Sequence, residues 1–310
     1  MRLWTAALIA ALGSPAMSGD LAFVTSQNGN ALSVVDLADG TILGQADIPD
    51  APAPVAYAPA QRRAYVIAAE TGRLHVLDEE ARPVTQADLG AGAFGLAVAG
   101  DGVVVTDWYG ARVTRLDADL QPVWSAETGA APAGVAVSED GALVATADRD
   151  ADAVSIFDAA NGTRLHQVAT AGAHPFGITF HDGRLFTADV QGDSVSVIDP
   201  GTGRLTGSLA TGSHPYALAF AAGRGFVTNQ YDGTVTVFDA TTLAVLDEVT
   251  VGDYPEGIAA LPDGSGVAVA NWDSDTLVVL DATTLQITQT IEMPSGPRAF
   301  GSFTGRPVQP

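Results

Sequence analysis

The 310-residue chain contains no cysteine and no lysine, and all 14 of its basic residues are arginine. Without cysteine there is no disulfide, no covalent c-type haem attachment, no iron–sulfur cluster, no blue-copper site and no thiol nucleophile. Positive charge is scarce as well: 36 acidic residues leave a formal charge of −22. Tight binding of DNA or RNA needs a basic footprint to neutralise phosphates, so nucleic acid is excluded as a partner class. The G-x-S-x-G, H-E-x-x-H and P-loop patterns are absent too. What is present is 47% hydrophobic residues with 34 Gly and 17 Pro, the composition of a folded chain with many turns.

The N-terminus has the layout of an export signal. Met1-Arg2 precedes an apolar run, residues 3–12 (LWTAALIAAL), and small residues Ala16 and Ser18 stand at the −3 and −1 positions of a cleavage site near Ser18. Ten apolar residues are too few to span a bilayer, and no second long run follows, so no membrane span is expected. The expectation is a signal peptide at 1–18, a single domain at 19–310, and a periplasmic or secreted location.

Internal repetition decides the fold class. An Asp recurs at Asp36, Asp78, Asp117, Asp158, Asp199, Asp239 and Asp281, at intervals of 42, 39, 41, 41, 40 and 42 residues. Ten residues before each lies a second register: Ser26, Ala68, Asp107, Asp148, Asp189, Asn229 and Asn271. Each unit holds four short β-type runs separated by turns such as DG, YDG and ATT. Four strands per unit of about 40 residues, repeated seven times, predict an all-β, seven-bladed β-propeller. The ends are complementary. GPRAFGSF at 296–303 repeats the start of a unit, and the three strands it lacks lie at residues 21–48. The C-terminal strand is therefore expected to join the N-terminal blade and close the ring.

The strands FVTS (23–26), VVTD (104–107) and FVTN (226–229) resemble the signature of the YVTN family of β-propeller repeats, over residues 21–303. The resemblance implies a propeller of the kind often exported by bacteria. Some such propellers are associated with quinoprotein dehydrogenase systems, some are similar to haem-containing nitrite reductase propellers, and a few are similar to lactonases. Propellers host unrelated activities, so the resemblance speaks to fold more than to function.

The repeat also absorbs several apparent motifs. GAGAFG (90–95) matches G-x-G-x-x-G formally but aligns with the TGAAPAG, AGAHPFG and TGSHPYA connections between blades. DRDAD (148–152) lacks the Gly and Glu that an EF-hand loop requires and aligns with ordinary turns. The phased Asp residues suit Asx-type turns.

Chemistry is expected where the repeat breaks, on the face where the connections and the loops after the second strands emerge. Around the ring, the residue before the connection proline (Ala93 takes its place in one copy) reads Ala51, Gly92, Ala131, His174, His214, Tyr254, Gly296. The residue after it reads Ala53, Phe94, Ala133, Phe176, Tyr216, Glu256, Arg298. One side is small and apolar; the other gathers His174, His214, Tyr254, Tyr216, Glu256 and Arg298. The second-strand ends add Asp148 and Asp189 to that face, with Trp108 and Trp272 following two of these positions. These ten residues are the candidate binding set for a protein partner or small molecule, and an aromatic plug of the channel mouth is the competing reading. No cofactor is required, although His174 and His214 with nearby carboxylates also suit zinc, copper or nickel, or an axial position on a haem-type cofactor. The expected function is a non-catalytic periplasmic binding or accessory propeller; the family resemblance implies a periplasmic redox system, such as a quinoprotein dehydrogenase, as its partner. The enzymatic alternative is a lactonase-like hydrolase with Glu256 as acid–base group and Arg298 as oxyanion partner.

Overall fold

The computed structural model describes residues 19–308, so the expected leader lies outside the described residues. Seven four-stranded antiparallel sheets form the blades of a propeller. Blade 1 comprises residues 21–47 and the C-terminal segment. Blades 2 to 7 follow at 52–88, 93–127, 132–169, 175–210, 215–250 and 255–292. In each complete blade the first strand is innermost and sequence order is spatial order. The one helical element among the described residues is a 3-10 turn, Arg149–Ala151.

Second strands and most third strands are buried on both sides because each blade is sandwiched between neighbours; Arg112–Leu116 of blade 3 is the polar, partly exposed exception. Phe23, Phe157, Phe186, Phe226 and Phe238 are fully buried between sheets. Fourth strands face solvent and become polar or alternate, as in Ile42–Asp47. All seven phased Asp residues do the same job: Oδ1 accepts the backbone N–H two residues on, from Ala38 on Asp36 round to Thr283 on Asp281. The carboxylate thereby closes each hairpin between third and fourth strands.

The threonine of the family-like strand has an architectural role. Thr25, Thr106 and Thr228 each donate the side-chain hydroxyl to a carbonyl on the next blade's innermost strand, Ala53, Ala133 and Glu256 respectively, at 2.7, 3.0 and 2.9 Å. Innermost strands approach so closely that a Cβ at Gly95 would run into the Ala133 carbonyl and one at Gly177 into that of Tyr216. That is why four of the seven connections end in glycine, at Gly95, Gly134, Gly177 and Gly257.

The ring closes as expected but irregularly. Phe23 N–H donates to Phe303 O and Arg298 N–H to Thr25 O, both at 2.8 Å, and Thr304–Gly305 pairs with Ala22 and Leu21. Regular strand is limited to those two residues because Gly296, Ala299 and Gly301 take positive φ. The segment kinks, and both Arg298 and Phe300 reach side chains of other blades around the channel.

Candidate functional site

Backbone hydrogen bonds tie each inter-blade connection to the loop after the second strand of the blade it enters. Trp108 N–H donates to Gly92 O, Val190 to His174 O, Gln230 to His214 O and Trp272 to Tyr254 O, at 2.7 to 3.0 Å. Ala51, Ala131, His174, His214 and Tyr254 all take left-handed φ, between 51° and 59°. Side chains with a Cβ rarely adopt it. Local polar contacts hold it here: Asp152 accepts the His174 N–H, Asp193 the His214 N–H and Asp275 the Gly296 N–H, at 2.7 to 2.8 Å. Asn30 takes the Ala51 N–H at 3.1 Å. These residues, four after the second register, form a third phased set.

At the centre lies a polar network of five residues drawn from blades 1, 6 and 7. Arg298 contacts Glu256 (Nε to Oε2, 2.5 Å), donates to Tyr216 Oη (2.6 Å) and to Gln27 Oε1 (2.9 Å), and lies 5.7 Å from the Tyr216 ring centroid. Gln230 donates to the other Glu256 oxygen at 2.6 Å. The Nε–Oε2 contact is close but misaligned, so neither atom has a directed hydrogen bond. Burial pushes the Glu256 carboxyl above the usual carboxylate range; the Arg298 charge and the Gln230 amide pull against that shift. Burial likewise raises the Tyr216 phenol, so it stays a neutral partner of the guanidinium.

Beside the network sits an aromatic cluster. Phe94, Phe176, Tyr216 and Phe300 meet with centroids 4.3 to 5.7 Å apart, and Trp108 packs edge-on against Phe94 at 5.7 Å. The Arg149 guanidinium lies 5.6 Å from the Trp108 ring centroid. A channel of about 440 Å³ among the far halves of the innermost strands has Phe300 in its wall. Toward the rim, His214 stacks on Tyr231 at 3.8 Å, and Tyr231, Tyr254 and Trp272 continue at 5.7 and 6.2 Å as a partly exposed aromatic ridge.

The structure brings together Glu256, Arg298 and Tyr216, and it lines up His214, Tyr254 and Trp272. Trp108 belongs to the aromatic cluster, as the plug reading expects. Asp148 and Asp189 require correction: they are fully buried beneath the face. Asp148 accepts from Thr146, Ser155 and Gly129; Asp189 from Thr187, Ser194, Ser196 and Gly172. Both carboxylates brace their own blade and the incoming connection, with no oxygen left for the face. His174 has a buried Nδ1 without a partner, and His214 Nδ1 lies 3.0 Å from Ser213 Oγ. Among the described residues, no group of three or more His, Asp or Glu side chains is placed to hold a metal. Five contributors escaped the sequence reading: Gln27, Arg149, Gln230, Tyr231 and Phe300. The first three occupy the position directly after the second register, the same column as Trp108 and Trp272, where the signal was available.

No family model and no curated protein matches the chain in sequence. Solved structures match in fold. A functionally unknown protein from Desulfotomaculum acetoxidans is 16% identical, covering 93% of this chain and 99% of that one, with a TM-score of 0.77. The periplasmic gluconolactonase of Pseudomonas aeruginosa is 19% identical, covering 94% and 99%, with a TM-score of 0.76. The dihydro-heme d1 dehydrogenase NirN, in complex with DHE, is 18% identical, covering 96% and 78%, with a TM-score of 0.69. At these identities the likeness concerns the fold.

Proposed function

We propose that the chain is an exported, non-catalytic binding propeller of YVTN type, a single domain over residues 19–310, that serves a periplasmic redox system through the face described above. A quinoprotein dehydrogenase is the partner class suggested by the family resemblance. The observation that carries the binding role is the Arg298–Glu256–Tyr216–Gln27–Gln230 network. Its Tyr216, Glu256 and Arg298 occupy a repeat position that is small or apolar in blades 2 to 4 (Ala53, Phe94, Ala133), and the network uses the only buried ion pair near the axis among the described residues and adjoins a partly exposed aromatic ridge. Polar groups converging beside apolar surface are characteristic of ligand and partner sites.

The hydrolase reading finds support in the raised Glu256 carboxyl, since a general acid or base works best when its pKa lies near the operating pH. Against it, Gln230 and Arg298 already engage both carboxylate oxygens. Native mass spectrometry of the chain isolated from its host periplasm discriminates the two. The binding reading expects retained mass that His214→Ala with Tyr254→Ala reduces and that Arg164→Gln, on the opposite side, leaves intact. Lactone turnover lost in Glu256→Gln, with no retained mass, supports the hydrolase instead.

A further inference from the structure

Ala69, Ala91, Gly92 and Ala93 leave room on the face at blades 2 and 3; other blades carry Trp, Arg or Gln in the column of Ala69 and His or Tyr in that of Gly92. There a cavity of about 260 Å³ is lined by these four residues together with Phe94, Phe176, Trp108, Tyr109 and Arg298. We propose that this cavity binds a small, flat aromatic carboxylate, with its ring against Phe94, Phe176 and Trp108 and its carboxylate on the Arg298 guanidinium. The inference rests on the reading of this face as a binding surface and adds the ligand class.

Size limits the ligand to one or two fused rings, because drug-sized ligands occupy pockets of about 300–1,000 Å³. Chemistry sets the sign. The one charged group in the lining is a cation, and Arg149 over Trp108 places a second nearby. A cationic ligand would meet both. A neutral one would leave guanidinium donors unused: Gln27 and Tyr216 each take one N–H, from Nη1 and Nη2, so each terminal nitrogen keeps a second N–H for a carboxylate, while Nε lies against Glu256. Glu256 helps to hold the guanidinium in place. Asp107, near Gly92, turns its carboxylate into its own loop, where Oδ1 accepts the Tyr109 and Gly110 N–H groups at 3.1 and 2.8 Å.

Isothermal titration of the mature chain with 2-naphthoate tests this, with 2-naphthalenemethanol and cyclohexanecarboxylate as probes lacking the charge or the flat ring. The expected result is saturable one-site binding of naphthoate, with either control weaker by about tenfold or more. Ala69→Trp should abolish binding while leaving the thermal midpoint unchanged, because Trp108 and Trp272 occupy the same repeat column. Arg298→Gln should weaken it, and Arg164→Gln should not. Undiminished binding in Ala69→Trp, equal binding of the alcohol, or no binding of naphthoate at about millimolar concentration overturns the proposal. No naphthoate binding while the isolated chain still retains mass through His214 and Tyr254 removes this inference and leaves the proposed function standing. Naphthoate binding without retained mass does the reverse.

Discussion

Asp148 and Asp189 are charged groups with no exposed surface, and burial raises both above the usual carboxylate range against the pull of their hydroxyl and N–H donors. A raised folded pKa means the native state holds its proton more tightly than the unfolded chain. The associated stability is present below the unfolded value of about 3.9 and is lost as pH rises through the folded value. Asp148→Asn with Asp189→Asn should therefore flatten the decline in stability above about pH 4, read by urea unfolding at several pH values. Asn is compatible with the position, since Asn229 and Asn271 fill it in blades 6 and 7. The partly exposed Asp239 has the opposite sign: its turn hydrogen bonds lower its pKa, so Asp239→Ala should destabilise at neutral pH and matter progressively less as pH falls through the folded value. In the central pair, Arg298→Met strands a buried carboxylate and should cost about 3–5 kcal/mol. Adding Glu256→Gln should recover part of that loss, and a double-mutant cycle showing no coupling would contradict the ion-pair account.

Single strands show why the sequence reveals some contacts and hides others. The Thr of FVTN is visible as a repeat, but its partner, the Glu256 carbonyl on the next blade, appears only once the sheets are stacked. Thr228→Val should leave that buried carbonyl without its hydroxyl donor and cost about 1–3 kcal/mol, measurable by chemical denaturation. Gly177→Val should disrupt more, because the new side chain meets backbone of the adjacent innermost strand, which has nowhere to retreat. The hairpin and connection registers were legible because one turn chemistry recurs at a fixed offset. Asp148 and Asp189 misled for the same reason. Their register placed them correctly at strand ends, but nothing in a linear pattern told whether the carboxylate turns to the face or inward onto Thr146 and Ser155, or Thr187 and Ser196. Phe300 was hidden for another reason: the positive φ at Ala299 and Gly301 breaks the alternation that would have assigned its direction.

At the scale of the molecule, repetition supplies the ring and its interruption supplies the site. The same segment serves both. Pro297 to Gly305 completes blade 1, contributes Arg298 to the polar network and Phe300 to the aromatic cluster, and buries Phe303 completely. Deleting residues 296–310 should therefore lower the thermal midpoint of the whole ring and abolish binding together, whereas an unchanged midpoint would contradict closure. The central claim is that the working surface is the face carrying Glu256, Arg298 and the aromatic ridge. Hydrogen–deuterium exchange on the chain with its retained ligand or partner, compared with the stripped chain, tests it most directly. The account predicts added protection in the face segments 213–216, 230–232, 253–256, 271–275 and 296–298. Protection confined to the hairpin turns of the opposite side, such as 182–183 and 222–223, would contradict it.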